Sequence, residues 1–218
     1  MPAESPVPDA EAPRDCPLCP RLVDYRQRLR AEHPDWWNAP VPAFGDPDAW
    51  LAIVGLAPGR KGANRTGRPF TGDDAGPLLF DTLRRFGLSE GDYQARPDDG
   101  VTLRGCVILN GVKCVPPGNL PTGAEIAACR PFYEAAVPQL PRVQVFIALG
   151  GIAHRLAVRT AGGKLSAHKF AHLAEHRLPD GRILLDSYHC SRYNQNTRRL
   201  TPAMFEAVFA RALELRSG

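Results

Sequence analysis

The sequence predicts an α/β fold, a three-layer α/β/α sandwich with a central four-stranded parallel sheet, and three observations carry that prediction. Four short apolar runs, at 50–56, 106–110, 143–149 and 182–187, are the length of buried strands and are bounded by turn residues. Patterns of helical spacing separate them, at 75–86, 122–139 and 151–160, with a last one at 202–215. Strands alternating with helices need crossover connections, which make neighbouring strands parallel and cover both faces of the sheet.

Taken in order, residues 1–14 are rich in Pro and acidic side chains and hold too little apolar surface to offset ordering entropy, so they are expected to be a disordered tail before a single domain at 15–218. A helix is expected over 18–31, beside the C-x-x-C of Cys16 and Cys19, and 33–48 reads as an irregular connection. The first strand runs into Gly55-Leu56-Ala57-Pro58-Gly59 and a polar loop that reaches Gly76. The second ends at Asn110-Gly111-Val112-Lys113-Cys114, and the fourth at Tyr188-His189-Cys190-Ser191. In a parallel sheet such turns share one edge, where open α/β folds bind ligands.

With 218 residues and 44% apolar content the chain supports one core of ordinary size. No run approaches the 18 or more apolar residues of a membrane span, and the acidic start lacks the pattern of a signal peptide, so a cytoplasmic protein is expected. The formal charge is only +4, yet 23 of the 27 basic residues are Arg. Several fall in loops, Arg60, Lys61, Arg65 and Arg68 near the first turn and Arg192, Arg198 and Arg199 near the last. Arg forks suit phosphate oxygens, which favours a nucleic-acid partner; the same bias also follows from GC-rich coding. In a reducing compartment the six cysteines are not expected to pair, and their spacing leaves Cys16, Cys19, Cys114 and Cys129 as candidates for one centre. Four thiolates suit either an iron–sulfur cluster or tetrahedral zinc. Cys106 reads as a buried hydrophobe and Cys190 as a loop residue.

The turn at 55–59, the loop 64–76, the run Leu109-Asn110-Gly111-Val112-Lys113-Cys114-Val115-Pro116-Pro117-Gly118-Asn119 and the run 188–197 together resemble the uracil-DNA glycosylase superfamily, and its fifth family, the UDGb type, in particular. The resemblance covers most of the chain from residue 16 to about 200. It implies a monomeric DNA-repair enzyme that acts on uracil-containing DNA and carries a 4Fe–4S cluster, rather than zinc, on the four cysteines. A non-catalytic damage-binding module of the same fold is an alternative, as is an iron–sulfur redox protein, although no G-x-G-x-x-G dinucleotide fingerprint occurs.

Such an enzyme must flip a nucleotide, hold its base, and let it leave as an anion while the sugar becomes cation-like. Phe70, outside any periodic apolar face, offers a ring for stacking. Asn110 carries donors and an acceptor on one side chain and matches a pyrimidine edge, although a turn-forming Asn is the commoner reading. His189 can donate to the carbonyl oxygen where charge grows. Asp73 is assigned to the cationic side of the transition state and to water, and its neighbour Asp74 to capping the following helix. Ala57 stands where related families place a polar residue, which implies a pocket less exclusive for uracil that also accepts hypoxanthine and some modified pyrimidines. Gly59, Arg65, Ser191, Arg192 and Asn194 are expected to meet the DNA strand. Schiff-base chemistry is not expected, because Lys61 and Lys113 are the only lysines near these loops and the resemblance gives neither of them that role.

Overall fold

The computed structural model describes residues 5–217. Its sheet has six strands in the order β1-β5-β2-β6-β8-β7. The four expected strands form its parallel core: β2 (Leu51–Gly55), β5 (Cys106–Asn110), β6 (Val145–Leu149) and β8 (Ile183–Ser187). Two short antiparallel strands close the edges, β1 (Phe44–Gly45) on β5 and β7 (Glu175–Arg177) on β8. They are too short, and too polar in the case of β7, to show an alternating pattern, so the sequence marks neither. A separate two-residue hairpin pairs β3 (Ser89–Glu90) with β4 (Thr102–Leu103).

Side chains of the core strands alternate between two hydrophobic layers. Leu51, Ile53, Ile108 and Ile147 face one layer, which α3 (Gly76–Arg85) and α7 (Pro202–Ser217) complete with Leu79, Phe80, Phe205 and Phe209. Ala52, Val54, Val107 and Phe146 face the other, against α4 (Gly123–Ala136) and α5 (Gly151–Thr160). Each fully buried aliphatic or Phe side chain contributes about 1.5–3 kcal/mol, so burial on both faces explains why these strands read as continuous apolar runs. The remaining helices are α1 (Pro20–Glu32) and the short α2 (Ala63–Thr66) and α6 (Arg192–Asn196). A capping box between Thr122 and Glu125 starts α4, and the same Glu125 accepts two bonds of 2.7 Å from Arg21 of α1.

Three expectations need correction. Residues 5–14 are not a free tail: Val7 and Ala10 are buried in the α4 layer, and Glu11 meets the amine of Lys113 at 3.0 Å and the backbone N–H of Ala43 at 2.7 Å. Two small apolar side chains and one paired carboxylate anchor a segment whose composition alone promised none; Met1–Glu4 lie outside the described residues. Cys190 is fully buried in the first layer rather than carried in an open loop. Arg68 is also buried, its fork bidentate on Asp99 at 2.7 and 2.8 Å and its face near Phe44, Phe80 and Tyr93. Burial alone would raise the Asp99 carboxyl, but bonds from Arg68 and from the N–H groups of Gln94 and Val101 outweigh it and hold it at about 2. Arg68 therefore fixes the loop that carries Phe70 and is not available to phosphate.

Candidate active site and cysteine centre

The register sets the ends of the core strands level, with Gly55 opposite Asn110 and Leu149 opposite Ser187. The turns beyond those ends enclose a cavity of about 400 Å³. Ala57, Gly59, Phe70, Asp73, Asn110, His189, Ser191 and Arg192 all line it, so most of the residues singled out from the sequence meet in one place.

Glycines make that convergence possible. A Cβ on Gly55 would fall 2.5 Å from Asn110 Oδ1 and 3.1 Å from Phe70 Cζ. Asn110 is buried, and among the described residues its amide has no hydrogen-bond partner. Lining the cavity without a partner, the amide leaves its donors and acceptor open to a guest. Phe70 adopts a left-handed backbone with φ of 52°, uncommon for a residue with a Cβ. Its carbonyl accepts from the Tyr93 hydroxyl at 3.0 Å, which holds the strained turn in place. Its ring packs on the core while standing 5.9 Å from the His189 ring at an interplanar angle of 30°.

Asp73 is half-buried, and its Oδ1 accepts from the backbone N–H of Ala75 at 3.1 Å. Burial pushes its carboxyl up; the N–H groups of Ala75 and Gly76 oppose that, and the neighbouring Asp74 charge adds to it. Oδ2 sits where Cβ atoms on Gly59 and Gly62 would stand, at 2.8 and 2.2 Å. The split between the two neighbours therefore differs from the expected one. Asp73 makes the bond that precedes α3, whereas Asp74 is exposed and lies 3.6 Å from the Arg192 guanidinium.

Burial pushes the His189 imidazole down to about 4, so it is neutral at neutral pH. Its main-chain carbonyl accepts from the Asn194 side chain at 2.8 Å, and the Cys190 carbonyl accepts from Gln195 at 2.7 Å. Asn194 is thus a support of the His189 turn, with its amide nitrogen already engaged. Ser191 caps α6 by accepting from Asn194 N–H at 3.4 Å, and Arg65 is exposed outside the cavity wall with a long 3.5 Å contact to the Gly72 carbonyl. Sequence reasoning missed Tyr93, which lies in a polar stretch between elements, and did not single out Asn119, which also lines the cavity. The lining contains no lysine; Lys113 is buried on Glu11.

Elsewhere, Cys16, Cys19, Cys114 and Cys129 line one small space between α1, α4 and the turn after β5. Burial pushes the Cys114 thiol up to about 11 and Cys129 to about 12, although Arg26 and Lys113 respectively pull them back. Sulfurs around one tetrahedral zinc would stand about 3.8 Å apart, given Zn–S bonds of about 2.3 Å. No three of the four thiols close to within 4.8 Å of one another. Four cysteines around one space match the donor set of a metal centre.

The trio that does close within that distance is His154, His176 and Asp186. His154 Nε2 lies 2.8 Å from the His168 carbonyl and Nδ1 lies 2.8 Å from Asp186, so both face acceptors. Burial opposes the charge, but the bond and attraction of Asp186 outweigh it and raise the His154 pKa, in keeping with an imidazolium that bridges the two. Both ring nitrogens of His154 are thus engaged by acceptors within the protein.

Residues 42–213 match the uracil DNA glycosylase superfamily. A type-5 uracil-DNA glycosylase of Thermus thermophilus is 46% identical over 92% of this chain and 93% of its own length. The type-5 enzyme of Mycobacterium leprae is 41% identical over 92% and 91%, and that of Pyrobaculum aerophilum 39% over 91% and 88%. A type-4 enzyme of Thermotoga maritima aligns over 59% of the chain at 36% identity. The chain belongs to the uracil-DNA glycosylase superfamily and, within it, to the type-5 family.

Proposed function

We propose that the protein hydrolyses the bond between deoxyribose and uracil in DNA and leaves an abasic site, as a monomer in the cytoplasm. The observation that carries this reading is the meeting of a neutral imidazole, a half-buried carboxylate, an unpartnered amide and an aromatic ring in one cavity of about 400 Å³. The flipped base stacks on Phe70, and the Asn110 amide pairs with its N3–H and carbonyl edge. As the glycosidic bond breaks, its electron pair goes to the base, and neutral His189 donates a hydrogen bond to the carbonyl oxygen that takes the charge. The Asp73 carboxylate stabilises the oxocarbenium-like sugar and orients the water that attacks it, as carboxylates do in glycoside hydrolysis. Absence of a lysine from the lining supports a purely hydrolytic enzyme without a lyase step.

Arg192 at the mouth and Arg65 outside it are read as strand contacts, and Gly59 and Ser191 as backbone neighbours of the phosphates. Ala57 presents a methyl group to the base, so fewer specific bonds discriminate between bases and hypoxanthine is read as a slower second substrate. Cys16, Cys19, Cys114 and Cys129 are read as ligands of a 4Fe–4S cluster, which when bound supplies a cross-link between α1, α4 and the β5 turn rather than reaction chemistry. Among the described residues no helix is long and apolar enough to cross a membrane.

A labelled duplex with one uracil, incubated with the protein and then with alkali, should be cut at that uracil, and a hypoxanthine duplex should be cut more slowly. No cleavage of either would refute the enzyme reading. A colourless protein with stoichiometric zinc after anaerobic purification would refute the cluster while leaving the cleavage result to stand by itself.

A further inference from the structure

Arg26 projects from α1 into the cysteine-lined space and is 3% exposed. Its Nη2 donates to the Cys16 carbonyl at 3.1 Å and its Nη1 points to Cys114 Sγ at 3.6 Å, while Nε is buried without a partner. Among the described residues no carboxylate lies within ion-pair reach of this guanidinium; Asp15 spends its own on Arg30 at 2.6 Å. A charge that cannot be neutralised is thus buried beside the four cysteine side chains. Buried charges of this kind persist where an opposite charge compensates them. Four cysteines give up their protons when they ligate metal, so a ligated centre here carries negative charge beside Arg26.

We infer that Arg26 is the built-in counter-charge of the cysteine-held centre: it stabilises the anionic centre against loss and sets its reduction potential, while making no contact with the DNA cavity. This rests on the cluster reading above. It also accounts for a guanidinium rather than an ammonium: a planar fork reaches the Cys16 carbonyl and the Cys114 sulfur at once, and is less strongly hydrated when buried. The other buried cation nearby, Lys113, already has Glu11 at 3.0 Å and contributes its backbone N–H to Cys129 Sγ at 3.2 Å. Arg26 is therefore the buried cation beside the cysteines that has no carboxylate partner among the described residues.

The test uses anaerobically purified holoprotein carrying Arg26→Gln, Arg26→Met or Arg26→Lys, with metal content and thermal unfolding measured on each sample. Visible absorption should bleach about 10–100-fold faster in excess chelator for the Gln and Met variants, the usual effect of removing a supporting group next to metal ligands. Their reduction potential, followed by EPR-monitored titration, should move to more negative values, because adding an electron is harder without the cation. Arg26→Lys, which keeps the charge but cannot reach both partners at once, should fall between the parent and the Gln variant in both. Unchanged bleaching and potential in the neutral variants would overturn the inference, as would a Lys variant that behaves like Gln, since charge would then not be the property that matters. If the parent holds zinc and no iron, the cluster reading fails separately; unaltered zinc release in Arg26→Gln would then overturn the counter-charge as well, and faster release would support it.

Discussion

Two glycines, rather than the carboxylate itself, offer the sharpest test of how Asp73 is held. A Cβ at Gly62 would lie 2.2 Å from Asp73 Oδ2 and 2.7 Å from its Cγ, whereas one at Gly59 would lie 2.8 Å from Oδ2 and no closer than 3.9 Å to Cγ. Against a closest tolerable approach of 3.0 Å, Gly62→Ala leaves a deficit of about 0.8 Å on the oxygen and presses the carboxyl carbon as well. Rotation of the carboxylate cannot relieve both contacts, so the whole group must shift by most of an ångström. At Gly59 the deficit is about 0.2 Å on one oxygen, which a small turn absorbs. A misplacement of about 1 Å costs on the order of 10²-fold in rate. Single-turnover cleavage of a uracil duplex with enzyme in excess should therefore fall about 100-fold in Gly62→Ala and only a few-fold in Gly59→Ala. Duplex affinity should remain within about threefold in both, since the carboxylate acts mainly in the transition state. Thermal unfolding on the same samples separates site from fold. A folded Gly62→Ala protein that cleaves at the parental rate would show that the position of Asp73 does not govern the chemistry.

Asp73→Asn should cut the single-turnover rate more than tenfold at nearly unchanged affinity, whereas Asp74→Asn, at an exposed position, should change it little; the reverse result would exchange their roles. His189→Ala should slow base release by about two to three orders of magnitude, the usual worth of one such donor. Because His189 is already neutral above about pH 4, kcat/KM should show no inflection near 6.5; the rate should fall on acidification only as Asp73, whose carboxyl burial has raised, takes up its proton. A histidine-like step that disappears in His189→Ala would contradict the neutral-donor reading. Arg68→Leu strands the buried Asp99 and should cost about 3–5 kcal/mol in denaturant unfolding. Asp99 has its pKa depressed on folding, so its contribution exists above the ordinary carboxylate range and is lost as pH falls towards 2; the penalty of Arg68→Leu should shrink over that interval.

The layers and the four parallel core strands were legible because burial on both faces leaves uninterrupted apolar runs and helical patterns separate them, whereas the order of those strands came only from the structure. Candidate site residues were legible where a residue type has few other reasons to stand in a loop, as for His189 after β8 or Asp73 in a glycine-flanked turn, both of which line the cavity. Short-range patterning could not anticipate long-range pairing. Arg68 sits among loop arginines and looks free, yet Asp99, thirty-one residues on, draws it into the interior. Asn194 resembles its polar neighbours until the His189 carbonyl claims its amide. Edge strands β1 and β7 are defined by hydrogen bonds to partners far along the chain and carry almost no pattern of their own. The anchoring of residues 5–14 depends on a lysine over a hundred residues away. Sequence alone thus determined the fold class and the chemical inventory, since both follow from composition and spacing within a few turns of chain. Tertiary structure alone decided which charges are spent within the protein and which face the cavity, because a side chain's partner is set by proximity in space and by the cost of leaving a buried charge unpaired.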